Sequence, residues 1–160
     1  MTNHRRTLIA AVCLALLIGV YFAWNPSETP RVGLFLPDDQ QMVAQGKVIY
    51  TEQCASCHGD NLEGEQNWRQ PKANGRMPAP PHDETGHTWH HSDQQLFKIT
   101  KFGLASMTKL KDYQTDMPIY EDVLTDEEII AVLSFIKAQW NNKIREQHDE
   151  FNRRHSARNQ

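Results

Sequence analysis

The sequence of 160 residues predicts an all-α fold, because helical patterns recur along it and no stretch alternates as a strand would. Two capping boxes mark helix starts, one at Ser92 with Gln95 and one at Thr125 with Glu128. After the second box, apolar residues recur at helical spacing and predict a stripe that faces the core: Ile129, Leu133, Ile136 and Trp140.

The first element is an apolar run from Leu8 to Trp24, preceded by Arg5 and Arg6. An apolar run behind a basic flank is typical of an export signal. Because no clean cleavage site follows, we expect residues 1–24 to remain as a transmembrane signal anchor, with cleavage as the alternative. The two arginines predict a cytoplasmic N-terminus at the inner membrane, which places the rest of the chain in a bacterial periplasm.

Composition divides the rest of the chain into three segments. Residues 25–37 contain three prolines and are typical of a linker, and residues 38–140 carry the predicted core helices. Residues 141–160 are charged, and we expect a solvated helix that frays. Without Arg5 and Arg6 the net charge of −3 becomes about −5, and no basic cluster indicates nucleic-acid binding.

The core segment predicts three helices in order. The first is capped by Asp38 and runs to about Gln53, with Gly46 and Tyr50 on one face. A loop rich in proline and glycine follows over residues 59–81. The two capping boxes then begin the second helix and the last core helix, and Gly103 ends the second.

The stretch Cys54-Ala55-Ser56-Cys57-His58 has the pattern of a covalent attachment site for c-type haem. The two thiols form thioethers with the porphyrin, and His58 becomes an axial ligand of the iron. A zinc site would want a second ligand pair, but the other cysteine, Cys13, lies in the apolar run. A thioredoxin-like motif would need a strand before Cys54, where a helix is predicted. The sequence therefore predicts one covalently attached haem c.

The order of these features resembles class I cytochromes c, and more narrowly the single-haem, membrane-anchored bacterial type. The resemblance runs from Asp38 to Trp140 and includes CASCHG, DMPIY and LTDEEIIAVLSFIKAQW. It implies helices wrapped around the haem, with the first and last helices crossing at Gly46 against Phe135 or Ile136. It also implies that a backbone carbonyl of residues 78–81 accepts a hydrogen bond from the free ring nitrogen of His58.

The resemblance assigns the second axial ligand to Met117, within DMPIY. Pro118 favours an extended backbone at residue 117, which would hold that side chain out from the loop and toward the haem. Met107 and Met77 are the rival methionines, and the remaining alternative is that Met117 only fills the core.

Four histidines, His82, His87, His90 and His91, fall within ten residues. They could form a copper or zinc site, since imidazole suits both metals, or replace Met117 on the haem iron. No carboxylate–histidine spacing indicates a metal, so we expect a polar surface loop.

Together these features predict an electron carrier of a respiratory chain rather than an enzyme, because His58 and Met117 would fill both axial positions of the iron. The anchor would keep the protein near quinol-oxidising complexes or terminal oxidases, and redox partner proteins would dock transiently. Membership of a larger oxidoreductase stays open. The alternatives are a haem enzyme or a gas or peroxide sensor with a labile sixth ligand, and a copper-handling site on the histidine-rich loop.

Overall fold

The computed structural model describes residues 33–107 and 113–158. Five α-helices lie in these ranges: α1, Gln40–Gln53; α2, Ala55–His58; α3, Asp93–Phe102; α4, Asp126–Ala138; and α5, Asn142–Arg158. Two 3₁₀ turns cover Thr88–His90 and Leu104–Met107. Within these ranges there is no strand, which confirms the all-α prediction.

The predicted anchor over residues 1–24 and most of the predicted linker lie outside the described residues. Among the helices that are described, none has the length and apolar character needed to cross a bilayer. Membrane attachment therefore stays a prediction.

Helix α1 begins one residue later than the sequence indicates. Its cap is Asp39, whose carboxylate accepts hydrogen bonds from the backbone N–H groups of Gln41 and Met42 at 3.0 Å each. Asp38, the expected cap, instead pairs with Arg145 of α5 at 2.5 Å. Two adjacent aspartates offer the same capping chemistry, so sequence alone does not separate them.

Helices α1 and α4 cross at Gly46. A Cβ atom on Gly46 would lie 2.0 Å from the Ala131 carbonyl oxygen and 2.9 Å from the Phe135 Cβ. The two backbones therefore approach so closely that only glycine fits, which confirms Gly46 as the crossing point and Phe135 as one partner. Tyr50, one turn further along α1, packs its ring 5.4 Å from that of Phe135.

Both predicted capping boxes are present. The Ser92 hydroxyl accepts from the Gln95 N–H at the start of α3, and the Thr125 hydroxyl accepts from the Glu128 N–H at the start of α4. The apolar stripe is buried as predicted: Ile129, Leu133 and Ile136 on α4, and Trp140 two residues beyond its end, are all at most 5 % exposed.

The packed domain begins before residue 38, where the predicted linker ends. Phe35 is 4 % exposed and belongs to the core. The backbone N–H groups of Leu34 and Phe35 donate to the Asp93 carboxylate at 2.7 and 3.2 Å. The Leu36 N–H donates to the Ser134 hydroxyl at 2.9 Å. Residues 33–37 are thus part of the domain and not a free tether.

The predicted tail is helical, but the expectation of a solvated tail is wrong for one side of α5. His148 and Asn152 are buried against the rest of the domain. Asn152 exchanges two hydrogen bonds with Asp93, at 2.8 and 2.9 Å. Asp149 pairs at 2.5 Å with Lys137, whose side chain is almost wholly buried. Helix α5 therefore docks through polar contacts, which a search for apolar stripes does not detect.

His148 makes this docking sensitive to pH. Its ring is completely buried, and Nε2 donates to the His91 carbonyl oxygen at 2.9 Å. Burial lowers the pKa of His148, and the nearby positive charge of Lys137 lowers it further, while Asp93 opposes the shift. The folded state therefore favours neutral His148.

We expect the free energy of unfolding to decrease as the pH falls below about 6.5, the usual pKa of a histidine in an unfolded chain. Below this pH the unfolded chain takes up a proton at His148, whereas the folded state, in which the pKa of His148 is lowered, resists protonation. One such group contributes a slope of at most about 1.4 kcal/mol per pH unit. Urea denaturation between about pH 5 and 7.5 measures this slope, and His148→Gln should reduce it. Equal slopes in the parent and in His148→Gln would contradict the assignment.

Candidate haem-binding site

The C-x-x-C-H motif forms a single helical turn directly after α1. Cys54 ends α1 and precedes α2, which carries Cys57 and His58. Both thiols are free, with Cys54 half-buried and Cys57 exposed. The Tyr50 hydroxyl of α1 donates to the Gly59 carbonyl oxygen at 2.8 Å, which fixes the end of the motif against the core. The two sulfurs are thus unpaired and available for thioether formation.

His58 is oriented by the proline-rich loop. Its Nδ1 donates to the Pro80 carbonyl oxygen at 2.9 Å, which confirms the predicted carbonyl within residues 78–81 and identifies it. The bond leaves Nε2 as the nitrogen available to a metal. Burial lowers the pKa of His58, although the hydrogen bond to Pro80 opposes this shift. The neutral imidazole that iron requires is therefore favoured.

His82 supports His58, a role that the sequence analysis missed. The two rings stack with centroids 3.9 Å apart and planes inclined by 20°. The hydroxyl of Thr88 lies 2.8 Å from Nδ1 of His82 and holds the ring in place. The backbone carbonyl oxygen of His82 accepts a hydrogen bond from the Trp140 indole at 2.8 Å. The only sequence signal was the position of His82, two residues after Pro80.

Met117 lies half-buried on the loop before α4. It contributes to the lining of a cavity of about 550 Å³, in the range typical of small-molecule and cofactor sites. Other lining residues are Arg76, Phe102, Gly103, Tyr113 and Ile119. This described lining does not include the C-x-x-C-H motif, so the cavity by itself does not bring Met117 together with the two cysteines.

Tyr120 connects the loop that carries Met117 with the residue before the C-x-x-C-H motif through a hydrogen bond. Its hydroxyl donates to the carbonyl oxygen of Gln53, the residue before Cys54, at 2.7 Å. Burial raises the pKa of Tyr120 to about 12, so the phenol stays protonated and donates at neutral pH. The structure therefore joins the segment with the predicted distal ligand to the segment with the two cysteines.

The rival methionines are placed differently. Met77 is 38 % exposed on the loop before Pro80. The side chain of Met107 lies outside the described part of the structure. The exposure of Met77 gives no reason to prefer it to the half-buried Met117.

The histidine cluster does not assemble into a metal site. His82 turns toward His58, whereas His87 stacks on Trp68 and His90 stacks on Trp89. Within residues 33–107 and 113–158, no three His, Cys, Asp or Glu side chains are arranged to hold a metal ion. The copper-handling alternative is therefore not supported by the described geometry, and the expected polar loop describes His87 and His90 better.

One buried polar atom fits a haem carboxylate. The Trp89 indole nitrogen is buried and has no hydrogen-bond partner among the described residues. A buried N–H group of this kind normally has an acceptor. A propionate of the porphyrin would supply one, so Trp89 fits the predicted cofactor, as do the free sulfurs of Cys54 and Cys57 and Nε2 of His58.

Comparisons with known proteins agree with this geometry. The profile of the cytochrome c family matches residues 43–140, more than half of the chain. The chain is 34 % identical over 65 residues to a cytochrome bc1 complex cytochrome c subunit of Corynebacterium efficiens. That match covers 39 % of this chain and 22 % of the relative, so the chain spans about a fifth of the relative's length. No solved structure matched the chain significantly. The chain belongs to the cytochrome c family, and its cofactor is covalently attached haem c with iron.

Proposed function

We propose that this protein is a single-electron carrier in which Cys54 and Cys57 hold the haem and His58 and Met117 are its axial ligands. Bound haem supplies one-electron transfer between ferrous and ferric iron. The observation that carries the proposal is the hydrogen bond from Tyr120 to Gln53, because it ties the Met117 loop to the residue before Cys54. The Pro80 carbonyl accepts from Nδ1, so the other ring nitrogen of His58 would be the one to hold the iron.

The protein's own residues then do three things. Tyr50 and Tyr120 hold the backbone on either side of the C-x-x-C-H motif through hydrogen bonds to Gly59 and Gln53. The helix crossing at Gly46 keeps α1, which leads into the motif, fixed on α4. This rigidity limits the rearrangement that accompanies each change of charge at the iron, which suits an electron carrier rather than an enzyme with an open coordination position.

The sequence and the matched relative support a place of action at a membrane. We propose that residues 1–24 anchor the chain in the inner membrane and that the haem domain acts in the periplasm. The matched relative is named as a subunit of a cytochrome bc1 complex, which supports a redox partner within a membrane complex.

Met117→Ala in the haem-loaded full-length protein tests the proposed ligand. We expect the ferric parent to show a methionine-to-iron charge-transfer band and the ferrous parent to resist carbon monoxide. The variant should lose the band completely, bind carbon monoxide readily and have a lower reduction potential, because a thioether ligand raises the potential. Absorption spectra and potentiometric titration measure all three properties.

Met77→Ala is the matched control, because it removes the same side chain from an exposed site. It should leave the band, the carbon monoxide response and the potential unchanged. A parent that lacks the band, binds carbon monoxide readily and does not respond to Met117→Ala would overturn the proposal. That result would favour a haem enzyme or a gas or peroxide sensor with a labile sixth ligand.

A further inference from the structure

Four charged side chains connect the loop before Pro80 with the loop that carries Met117. Lys72 Nζ lies 3.0 Å from a Glu65 carboxylate oxygen and 3.6 Å from an Asp116 carboxylate oxygen. Arg76 pairs directly with Asp116. Its second terminal nitrogen donates to the Gln114 side-chain oxygen at 3.3 Å. We call Glu65, Lys72, Arg76 and Asp116 the four-residue network.

One end of the four-residue network reaches the predicted distal ligand. Asp116 immediately precedes Met117, and Gln114 lies two residues before Asp116. Arg76 lines the same cavity as Met117. The segment 113–119 contains no helix or strand, so its backbone has no regular hydrogen-bond ladder to hold it. The contacts from Arg76 and Lys72 thus restrain a segment without regular secondary structure.

The other end reaches His58. Glu65 accepts a hydrogen bond from the Ala79 N–H at 2.7 Å through its carboxylate, and its backbone N–H donates to the Ala79 carbonyl oxygen at 2.9 Å. The next residue is Pro80, whose carbonyl oxygen accepts from His58 Nδ1 at 2.9 Å. A continuous chain of contacts therefore runs from the backbone beside Met117 to the imidazole of His58.

We propose that the four-residue network positions both axial ligands of the haem together, with Arg76 and Asp116 holding Met117 and Glu65 holding the Pro80 carbonyl against His58. The inference rests on the proposed His58 and Met117 ligation. The four side chains are 35–39 % exposed, and one exposed ion pair contributes little. The four side chains act on the ligands as one connected group, because Asp116 contacts two cations and Lys72 contacts two carboxylates.

Arg76→Gln and Asp116→Asn, each in the haem-loaded full-length protein, test the proposal. In both variants we expect a weaker methionine-to-iron charge-transfer band and ferrous carbon monoxide binding about three- to fivefold faster, because Met117 leaves the iron more often. The double variant should equal either single variant, since contacting residues have non-additive effects. Arg76→Lys keeps the charge but loses the second contact, and it should recover part of the band.

Arg153→Gln is the matched control. It makes the same charge change in an exposed pair with Glu150 on α5, so it should leave the band and the carbon monoxide rate unchanged. Salt gives a second check: at about 1 M ionic strength, screening should bring the parent closer to Arg76→Gln. A purely structural role would change the melting temperature but not the band, which reports the iron–sulfur bond.

Three outcomes separate the two proposals. Changes in the band and in carbon monoxide binding for Arg76→Gln and Asp116→Asn, with none for Arg153→Gln, support the network. If Met117→Ala abolishes the band while Arg76→Gln and Asp116→Asn both behave as the parent, the network proposal fails and the ligation stands. If the parent shows no band and Met117→Ala changes nothing, the ligation fails and the network proposal fails with it.

Discussion

Gly46→Ala is expected to lower the free energy of unfolding by about 3 kcal/mol, although alanine is the better helix former. The added methyl group would lie 2.0 Å from the Ala131 carbonyl oxygen, which is part of the α4 backbone and has no rotamer to change. The helices must separate, and this loosens the packing around Phe135 and Tyr50. Urea denaturation of the haem-loaded protein measures the loss.

The neighbouring position supplies the control. Gln45 is exposed on the same helix, so Gln45→Gly and Gln45→Ala compare the two residues by helix propensity alone. The Gln45→Ala protein should be more stable than the Gln45→Gly protein by about 1 kcal/mol, whereas alanine is expected to destabilise the protein at residue 46. The glycine-to-alanine change should thus have opposite signs at residues 46 and 45. If it stabilised the protein at both positions, the two helices would not cross as closely at Gly46 as the structure indicates.

Asp93→Ala is expected to cost about 4 kcal/mol, because the carboxylate accepts hydrogen bonds from three donors in a buried position. Two donors are the N–H groups of Leu34 and Phe35, and the third is the Asn152 amide. Alanine would leave all three without an acceptor. The variant should release residues near 34 and the end of α5 together, which amide hydrogen exchange can detect.

Asp93→Asn separates hydrogen bonding from the loss of the side chain. Its amide oxygen still accepts, so the cost should fall to about 2 kcal/mol. Asp122→Ala, which removes a carboxylate from an exposed turn, should change stability by no more than about 0.5 kcal/mol. An Asp93→Ala protein as stable as Asp122→Ala would show that the buried polar junction does not hold the helices.

The parts of the fold that could be predicted from sequence are those specified by local patterns. Each capping box lies within four consecutive residues, and its reciprocal bonds appear at Ser92 and Thr125. The C-x-x-C-H motif likewise needs no distant partner to be recognised. Pro80 was predicted only as one carbonyl among residues 78–81, because the choice depends on how the loop folds over His58.

The features that sequence reasoning missed depend on polar groups brought together from distant segments. The docking of α5 relies on Asn152 and His148 against Asp93, between 55 and 59 residues apart in the chain. A polar residue at a buried position looks like a surface residue in a hydropathy pattern. The stacking of His82 on His58 was missed for the same reason, since a histidine gives no sequence signal for the ring it will face.

The position of Phe35 in the core has a consequence for the distance over which electrons can be delivered. If residues 1–24 are the anchor that we propose, at most eight residues, 25–32, separate it from the packed residues, against thirteen for a linker over residues 25–37. Fully extended, eight residues reach about 28 Å, against about 45 Å for thirteen. With the proposed anchor, the start of the packed domain would be held within about 28 Å of the bilayer, so redox partners would have to present their redox centres near the membrane surface.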